Sequence, residues 1–378
     1  MTRSNSSLPA HVISLSLVAL MATCILTGCD GTGASNQISI GAALPLTGVV
    51  SYYGQDSKRG IDLALNEINS GNGIDGRAVR VVYEDTQGQG NRAVSAIRTL
   101  LDIHKVPAVI GGGTSTETLA MAPVAERTKR VLISPVSSAS QISQAGSYIF
   151  RSVPSDAAQA ESLARWIVDK GYTEVALIFV NQAWGVGLKT DFVTSYKNLG
   201  GRFLAIEATE QGEVDFRTQL VRMRSERPKA YVALIYAREG GLLLRQAREL
   251  GITAQFFGAD PWTKHHFIES AGDAGNDVLF TTPAHYAGPE FEKFAIHFRE
   301  KYGQEPGIYE AHGYDTLMLL ARAIRQGGAS AEEIREQLSR TRGYMGATGE
   351  TTFDDNGDVP TKGFSRMVWL SGEKVRIE

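Results

Sequence analysis

Two cysteines in 378 residues leave the chain almost without the means for covalent bracing. Cys24 lies inside a segment with a charged start at Arg3, an apolar core over residues 12–26 and small residues before Cys29. That pattern reads as a secretory signal, too short and wrongly flanked for a membrane-spanning helix. Its removal would leave Cys29 alone, so no disulfide is expected. A secreted body without disulfides must bury a real core, and the 350 residues that follow position 28 suffice for two domains. An excess of one charge is also missing. Thirty-eight basic and 41 acidic residues give a net charge of −3, which excludes a basic field for nucleic acid. No Gly-x-Ser-x-Gly elbow and no Cys/His nucleophile pattern occurs, so catalysis is not indicated. His265-His266 have no further ligand at metal spacing and read as surface residues, so no metal and no cofactor is expected.

The run Leu26-Thr27-Gly28-Cys29 resembles the lipobox of bacterial lipoproteins. That resemblance implies a diacylglyceryl thioether on Cys29, cleavage before it, and acylation of the freed amine, several acyl chains anchoring the protein durably. The alternative is an ordinary cleaved signal with an incidental Cys29. Asp30 resembles the signal that keeps lipoproteins on the inner membrane of some Gram-negative bacteria; in a bacterium with one membrane it would carry no meaning. Residues 30–36 are small and polar and read as a flexible tether.

From residue 37 strand and helix patterns alternate. A strand over 37–44 ends at Pro45, and Ile61, Leu65 and Ile68 mark one face of a helix stopped by Gly71 and Gly73. A strand at 79–83, a helix marked by Ala93, Ile97, Leu100 and Leu101, a strand at 107–111, a helix at 115–127 and a strand at 131–133 complete a βαβα series. Such alternation implies a parallel sheet covered on both faces. The same grammar restarts with a helix at 157–170 and strands at 174–180, 203–206, 231–235 and 255–257, separated by helices. Two further helices, at 290–302 and 309–324, precede a turn-rich stretch at 349–358 that suggests a hairpin before a last strand at 367–370.

Two such units create a cleft, and small ligands bind beyond the carboxyl ends of parallel strands. After Ile110 come three glycines and then Thr114-Ser115-Thr116 at a helix start. Glycines admit close backbone approach and the helix N-terminus offers free N–H groups, a site for an anion that needs no arginine. The pattern is neither Walker A nor the dinucleotide fingerprint. Ser115 and Thr116 could instead simply cap the helix. Ser134-Pro135-Val136-Ser137-Ser138 forms a second hydroxyl-rich turn after the neighbouring strand, and two such turns favour a carboxylate. In the second unit Trp184 and Tyr236 follow strands, as does Asp260. An aromatic residue in a polar, glycine-flanked loop leans toward ligand contact. Asp260 before Pro261 reads either as an N-cap or as the counter-charge of an ammonium group, supported by cation–π contact with Tyr53, Trp184 or Tyr236. Arg238 could meet a second carboxylate on an acidic ligand or stand solvated at a helix start.

These residues together resemble the type I periplasmic binding proteins, specifically the branched-chain amino-acid-binding group that feeds ATP-driven importers. The marks are residues 41–60 with Leu44-Pro45-Leu46-Thr47-Gly48 and Tyr53-Gly54, residues 110–118 and 134–138, Trp184-Gly185, residues 244–248, Gly258-Ala259-Asp260 and residues 346–358. The resemblance implies an α/β fold of two doubly wound Rossmann-like lobes joined by a three-crossover hinge. It places residues 37–154 plus 284–349 in one lobe and 155–283 plus 350–378 in the other, with crossings near Pro154-Ser155, Pro283 and Gly349. Residues 1–28 are then the signal peptide and 29–36 the lipidated tether. It implies that Ser115, Ser137 and Ser138 hold a carboxylate, that the Val136 carbonyl and Asp260 take the ammonium, and that Tyr53, Trp184 and Tyr236 supply aromatic walls. Trp184 stands where the leucine/isoleucine/valine binders carry tyrosine, and Asp260 is one methylene shorter than their glutamate. The function implied is capture of an α-amino acid by lobe closure and delivery to a membrane ABC permease. The protein would be a lipid-anchored monomer outside the cytoplasm, on the periplasmic side of the inner membrane if the cell is Gram-negative. The alternatives are a receptor for a non-amino-acid carboxylate or amide, in which Asp260 only caps a helix, and a ligand-sensing lipoprotein.

Overall fold

The computed structural model describes residues 1–2, 37–284 and 287–377. The signal segment, Cys29 and the tether lie outside the described residues.

Alternation in the first third builds β1 (Gln37–Leu44), α1 (Ser51–Ser70), β2 (Ala78–Asp85), α2 (Gly90–Arg98), β3 (Ala108–Gly111), α3 (Ser115–Thr128), β4 (Val131–Ser134) and β5 (Ile149–Arg151). These five strands form one parallel sheet in the order β2-β1-β3-β4-β5. β3 and β4 are buried along their whole length, as strands covered by helices on both faces must be.

The second series comprises α4 (Asp156–Asp169), β6 (Glu174–Val180), α5 (Ala183–Asn198), β7 (Arg202–Thr209), α6 (Arg217–Ser225), β8 (Ala230–Leu234), α7 (Ala237–Glu249), β9 (Gln255–Gly258), α8 (His265–Ala271) and β10 (Leu279–Pro283). The chain then runs through α9 (Pro289–Tyr302), α10 (Ile308–Gly327), α11 (Ala331–Ser339), β11 (Tyr344–Gly346), β12 (Gly349–Thr351), β13 (Phe364–Leu370) and β14 (Glu373–Arg376). The second sheet has the order β14-β13-β10-β9-β8-β6-β7, with β13 and β14 antiparallel to their neighbours.

Helices α9, α10 and α11 return to the first sheet, where Phe294, Phe298, Leu317, Leu320, Ile334 and Leu338 share a core with Ile40, Ile61 and Ile133. The second sheet has its own core around Trp166, Leu177, Val232, Phe257 and Trp262. The chain leaves the first sheet between Arg151 and Asp156 and returns after Pro283. The crossing expected near Gly349 comes later. Phe353 and Val359 still belong to the first core, Phe353 packs edge-on against Phe150 at 5.3 Å, and the Arg151 N–H donates to the Gly357 carbonyl. The ring is an apolar anchor that holds this stretch on the first sheet until β13 begins at Phe364. The hairpin also sits earlier than expected, joining β11 to β12 at residues 344–351 instead of occupying 349–358.

Each sheet reverses its direction of winding at one point, between β1 and β3 in the first and between β6 and β8 in the second. Ligands of open α/β sheets bind at such switch points, beyond the carboxyl ends of the strands. Pro45 and Gly112 follow β1 and β3, whereas Asn181 and Ile235 follow β6 and β8.

Candidate functional site

Residues that follow the strands at both switch points line one cavity. Its walls comprise Tyr53, Gly113, Thr114, Ser115, Val136, Ser137, Ser138, Trp184, Tyr236, Asp260, Pro261 and Tyr309. The eight residues assigned to the ligand from the sequence therefore meet in one place. Arg238 is exposed and stands outside it, as do His265 and His266 at the start of α8.

One end of the cavity is built from the turns after β3 and β4. α3 begins at Ser115 without a side-chain cap, so the expected alternative that Ser115 and Thr116 cap it does not hold. Thr114 occupies the N-cap, but its hydroxyl donates to Glu117 Oε2 at 2.8 Å. Ser115 Oγ accepts from the Ala139 N–H at 3.2 Å, which leaves its hydroxyl proton to give. Thr116 turns instead to the second sheet, with its Oγ1 3.1 Å from Gln182 Oε1 and accepting from the Ala183 N–H at 3.2 Å.

Ser137 lines the cavity, but its hydroxyl faces inward, 2.7 Å from Thr118 Oγ1 and 3.3 Å from the Gly112 carbonyl it donates to. The Val136 and Ser137 N–H groups donate to Ser134 Oγ. Ser137 is thus a brace between the two turns, a role that spacing along the chain does not reveal. Arg151, fully buried, supports the same turn from below, donating to the Ser138 and Ala139 carbonyls at 2.8 Å and pairing with Asp358 at 2.7 Å.

The opposite end is acidic. Asp260 is the one charged residue among those lining the cavity. No side chain caps the short turn Asp260–Thr263, so the N-cap alternative fails as well. Asp260 Oδ2 accepts from Tyr309 Oη at 2.8 Å, while Oδ1 is buried without a hydrogen-bond partner. Burial lifts its carboxyl to about 6, with the Tyr309 hydroxyl and the nearby Gln159 amide opposing the rise. Asp156, at the start of α4, is a second buried acid close by, pushed well above the usual range by burial first and then by Asp260.

Between the two ends stand aromatic rings. Trp184 stacks on Tyr236 at 5.2 Å, and Tyr53 meets Tyr236 and Tyr309 edge-on at 6.0 and 5.1 Å. The hydroxyls of Tyr53 and Tyr236 are buried without partners. Buried polar atoms in native proteins are normally paired, so these hydroxyls can take a hydrogen bond from a bound molecule.

Tyr309, Asp156, Arg151 and Glu117 escape a reading of the sequence. Tyr309 opens a helix that belongs to the first core, and only the returning chain sets it opposite Asp260. Glu117 sits in the quoted run after Ile110 but reads as an ordinary first-turn acid. It is in fact fully buried, bonded to the hydroxyls of Thr86 and Thr114, and lifted by burial to about 7.

Residues 37–372 match the family model described as periplasmic binding protein. Among curated relatives, the leucine-, isoleucine-, valine-, threonine- and alanine-binding protein of Pseudomonas aeruginosa is 27% identical over 344 residues, 89% of this chain and 91% of that one. A crystal structure of a leucine-binding protein, LivK, from Thermotoga maritima superposes with a TM-score of 0.85 at 31% identity, covering 90% of this chain and 98% of that chain. The branched-chain amino acid transporter substrate-binding protein LivJ of Streptococcus pneumoniae, solved with isoleucine, superposes with a TM-score of 0.83 at 28% identity, over 90% of this chain and 100% of that chain. The chain belongs to the periplasmic binding protein family.

Proposed function

We propose that this protein is the substrate-binding component of an ABC importer and captures an α-amino acid with a small, uncharged side chain. The observation that carries the reading is the polarity of the cavity. A helix N-terminus and donor hydroxyls without any cation occupy one end, and Asp260, with Oδ1 unpaired, occupies the other. The zwitterion of an amino acid is the complement of that arrangement, its carboxylate at Ser115 and Ser138 and its ammonium at Asp260 and the Val136 carbonyl. With no arginine, lysine or histidine on the lining, a second carboxylate would go unpaired, which disfavours acidic side chains. The rings of Tyr53, Trp184, Tyr236 and Tyr309 suit an apolar side chain, and the names of the relatives favour the branched-chain group.

Lipid attachment at Cys29 would hold the protein outside the cytoplasm beside its permease, and closure of the two halves would present the loaded form to that partner. Cys29→Ser should release the protein from the membrane fraction, and a variant that stays bound sinks the anchor. For the ligand, a thermal-shift screen of residues 31–378 against the twenty L-amino acids and their amine-free carboxylate analogues is decisive. Ligand at a hundred times its dissociation constant stabilises by about 2.7 kcal/mol. A rise with neutral L-amino acids alone is expected; a rise with amine-free acids alone would replace this reading by that of a carboxylate receptor.

A further inference from the structure

Asp260 stands on a turn that both halves of the molecule hold. On its own side, Trp369 Nε1 donates to the Trp262 carbonyl and Lys374 Nζ to the Thr263 carbonyl, both at 2.9 Å. From across the cleft it is reached twice. Tyr309 of α10 donates to Asp260 itself, and Asp56 of α1 forms an ion pair with Lys264, the residue that closes the turn.

Asp56 and Lys264 are 8% and 9% exposed, so this is a buried pair and not a surface one. It is part of a cluster of charges that also takes in Arg59, Glu310 and Lys374. Arg59 joins Asp56 and also Glu310, the latter at 2.7 Å, and Glu310 draws on the Lys264 charge. Lys264 Nζ also lies 4.6 Å above the ring of Tyr309, whose hydroxyl is the one bonded to Asp260. Asp56, Arg59, Tyr309 and Glu310 all sit on α1 and α10, whereas Lys264 comes from the connection between β9 and α8. Buried charges are costly to leave unpaired, and Lys264 finds its partners only when the halves meet.

We propose that Lys264 is a positioning residue for amino-acid recognition, fixing Asp260 for the ligand's ammonium by tying the 260–264 turn across the cleft to Asp56 and over Tyr309. Ammonium recognition is thereby tied to closure. A ligand bound to the open form meets an Asp260 held only from its own side, and the second set of contacts forms as the halves come together. This inference rests on the amino-acid reading of the cavity.

The test measures binding of the tightest of the twenty L-amino acids, and of its 2-hydroxy acid analogue, to the wild type and to Lys264→Met, Asp56→Asn, the double variant and Lys264→Arg. Dissociation rates and the ligand-free melting temperature are recorded alongside. Lys264→Met is expected to weaken amino-acid binding at least tenfold, chiefly through faster dissociation, and to shrink the preference for the amino acid over its hydroxy analogue. The double variant should be no weaker than the single ones, since the pair acts as a unit, and Lys264→Arg should restore most of the preference. If Lys264→Met does not fold, Asp56→Asn carries the same expectation. An unchanged preference in a folded variant, whether or not both affinities fall, overturns the proposal. Failure of the wild type to bind any of the twenty amino acids would instead remove the functional reading beneath it.

Discussion

Asp260 and Glu117 make opposite demands on pH. Asp260 must be ionised to pair with an ammonium, and burial sets its carboxyl at about 6 in the ligand-free protein, so affinity should fall as pH drops through that value. Glu117 lies on the first turn of α3, beneath the end assigned to the ligand's carboxylate, and shares Thr114 with the cavity wall. Asp85 and Tyr236 are the titratable groups that face it, and neither supplies a positive charge. With its carboxyl at about 7, its ionisation above that pH places a second anion near the bound carboxylate, so affinity should fall there too. Calorimetric titrations between pH 5 and 8.5 should give a bell with its maximum between the two values. Glu117→Gln should flatten the alkaline limb and leave the acid one. The same group bears on stability: its folded value lies above the ordinary 4.5, so the folded state binds the proton more tightly and stability declines as pH rises from 4.5 through 7. Glu117→Gln should therefore gain stability relative to the wild type at pH 8 and gain little at pH 4. Asp260→Ala, which leaves the ammonium unpaired, should cost about 2 kcal/mol of binding, a roughly thirtyfold loss. Affinity within twofold of the wild type would speak against the ammonium assignment.

Among the helices, α1 and α10 determine how the first half presents its residues. Their axes are drawn together by two glycines: a β-carbon on Gly60 would lie 1.9 Å from the Glu310 carbonyl oxygen, and one on Gly313 would lie 2.3 Å from that of Ser57. These contacts are with backbone and cannot be relieved by a change of rotamer. Gly60→Ala is accordingly expected to lower stability by about 2 kcal/mol or more in thermal denaturation, and to weaken binding because Tyr53 and Tyr309 stand on the two helices forced apart. Gly76→Ala, at a site with open space but a φ of +76°, should cost stability through backbone strain without touching affinity. Element by element, periodicity served well where the elements are long. The apolar positions Ile61, Leu65 and Ile68 marked α1, and β1 runs over the expected residues. It failed on β5, β10, α8 and α11, of which β5 has three residues and α8 seven, too few for either period to register.

The whole molecule is held closed by contacts that each span the cleft. Thr116 meets Gln182 and Ala183 on one flank, Tyr52 stacks on His266 at 4.7 Å, and Asp56 pairs with Lys264 on the other flank. Lys362 Nζ donates to the Ser152 carbonyl and the Ala284 N–H to the Gly363 carbonyl, which ties the passages between the sheets to one another, and a hinge built there would absorb closure in a few residues. Small-angle scattering of residues 37–378 should show the radius of gyration falling when a saturating amino acid is added. No change on saturation would mean that the halves are closed throughout, and that ligand entry needs some other opening.

The sequence by itself carried the two α/β series and eight of the twelve residues that line the cavity, because each of these is a local matter: strand, turn and helix follow one another within about ten residues, and site residues sit where strands end. It could not assign roles within the site. Whether Ser137 faces the cavity or braces Thr118, whether Asp260 caps a turn or accepts from Tyr309, and whether residues 350–359 join the first half or the second were decided by groups far away in the chain. Burial and hydrogen bonding at long range set those outcomes, and only the folded chain brings the partners within reach.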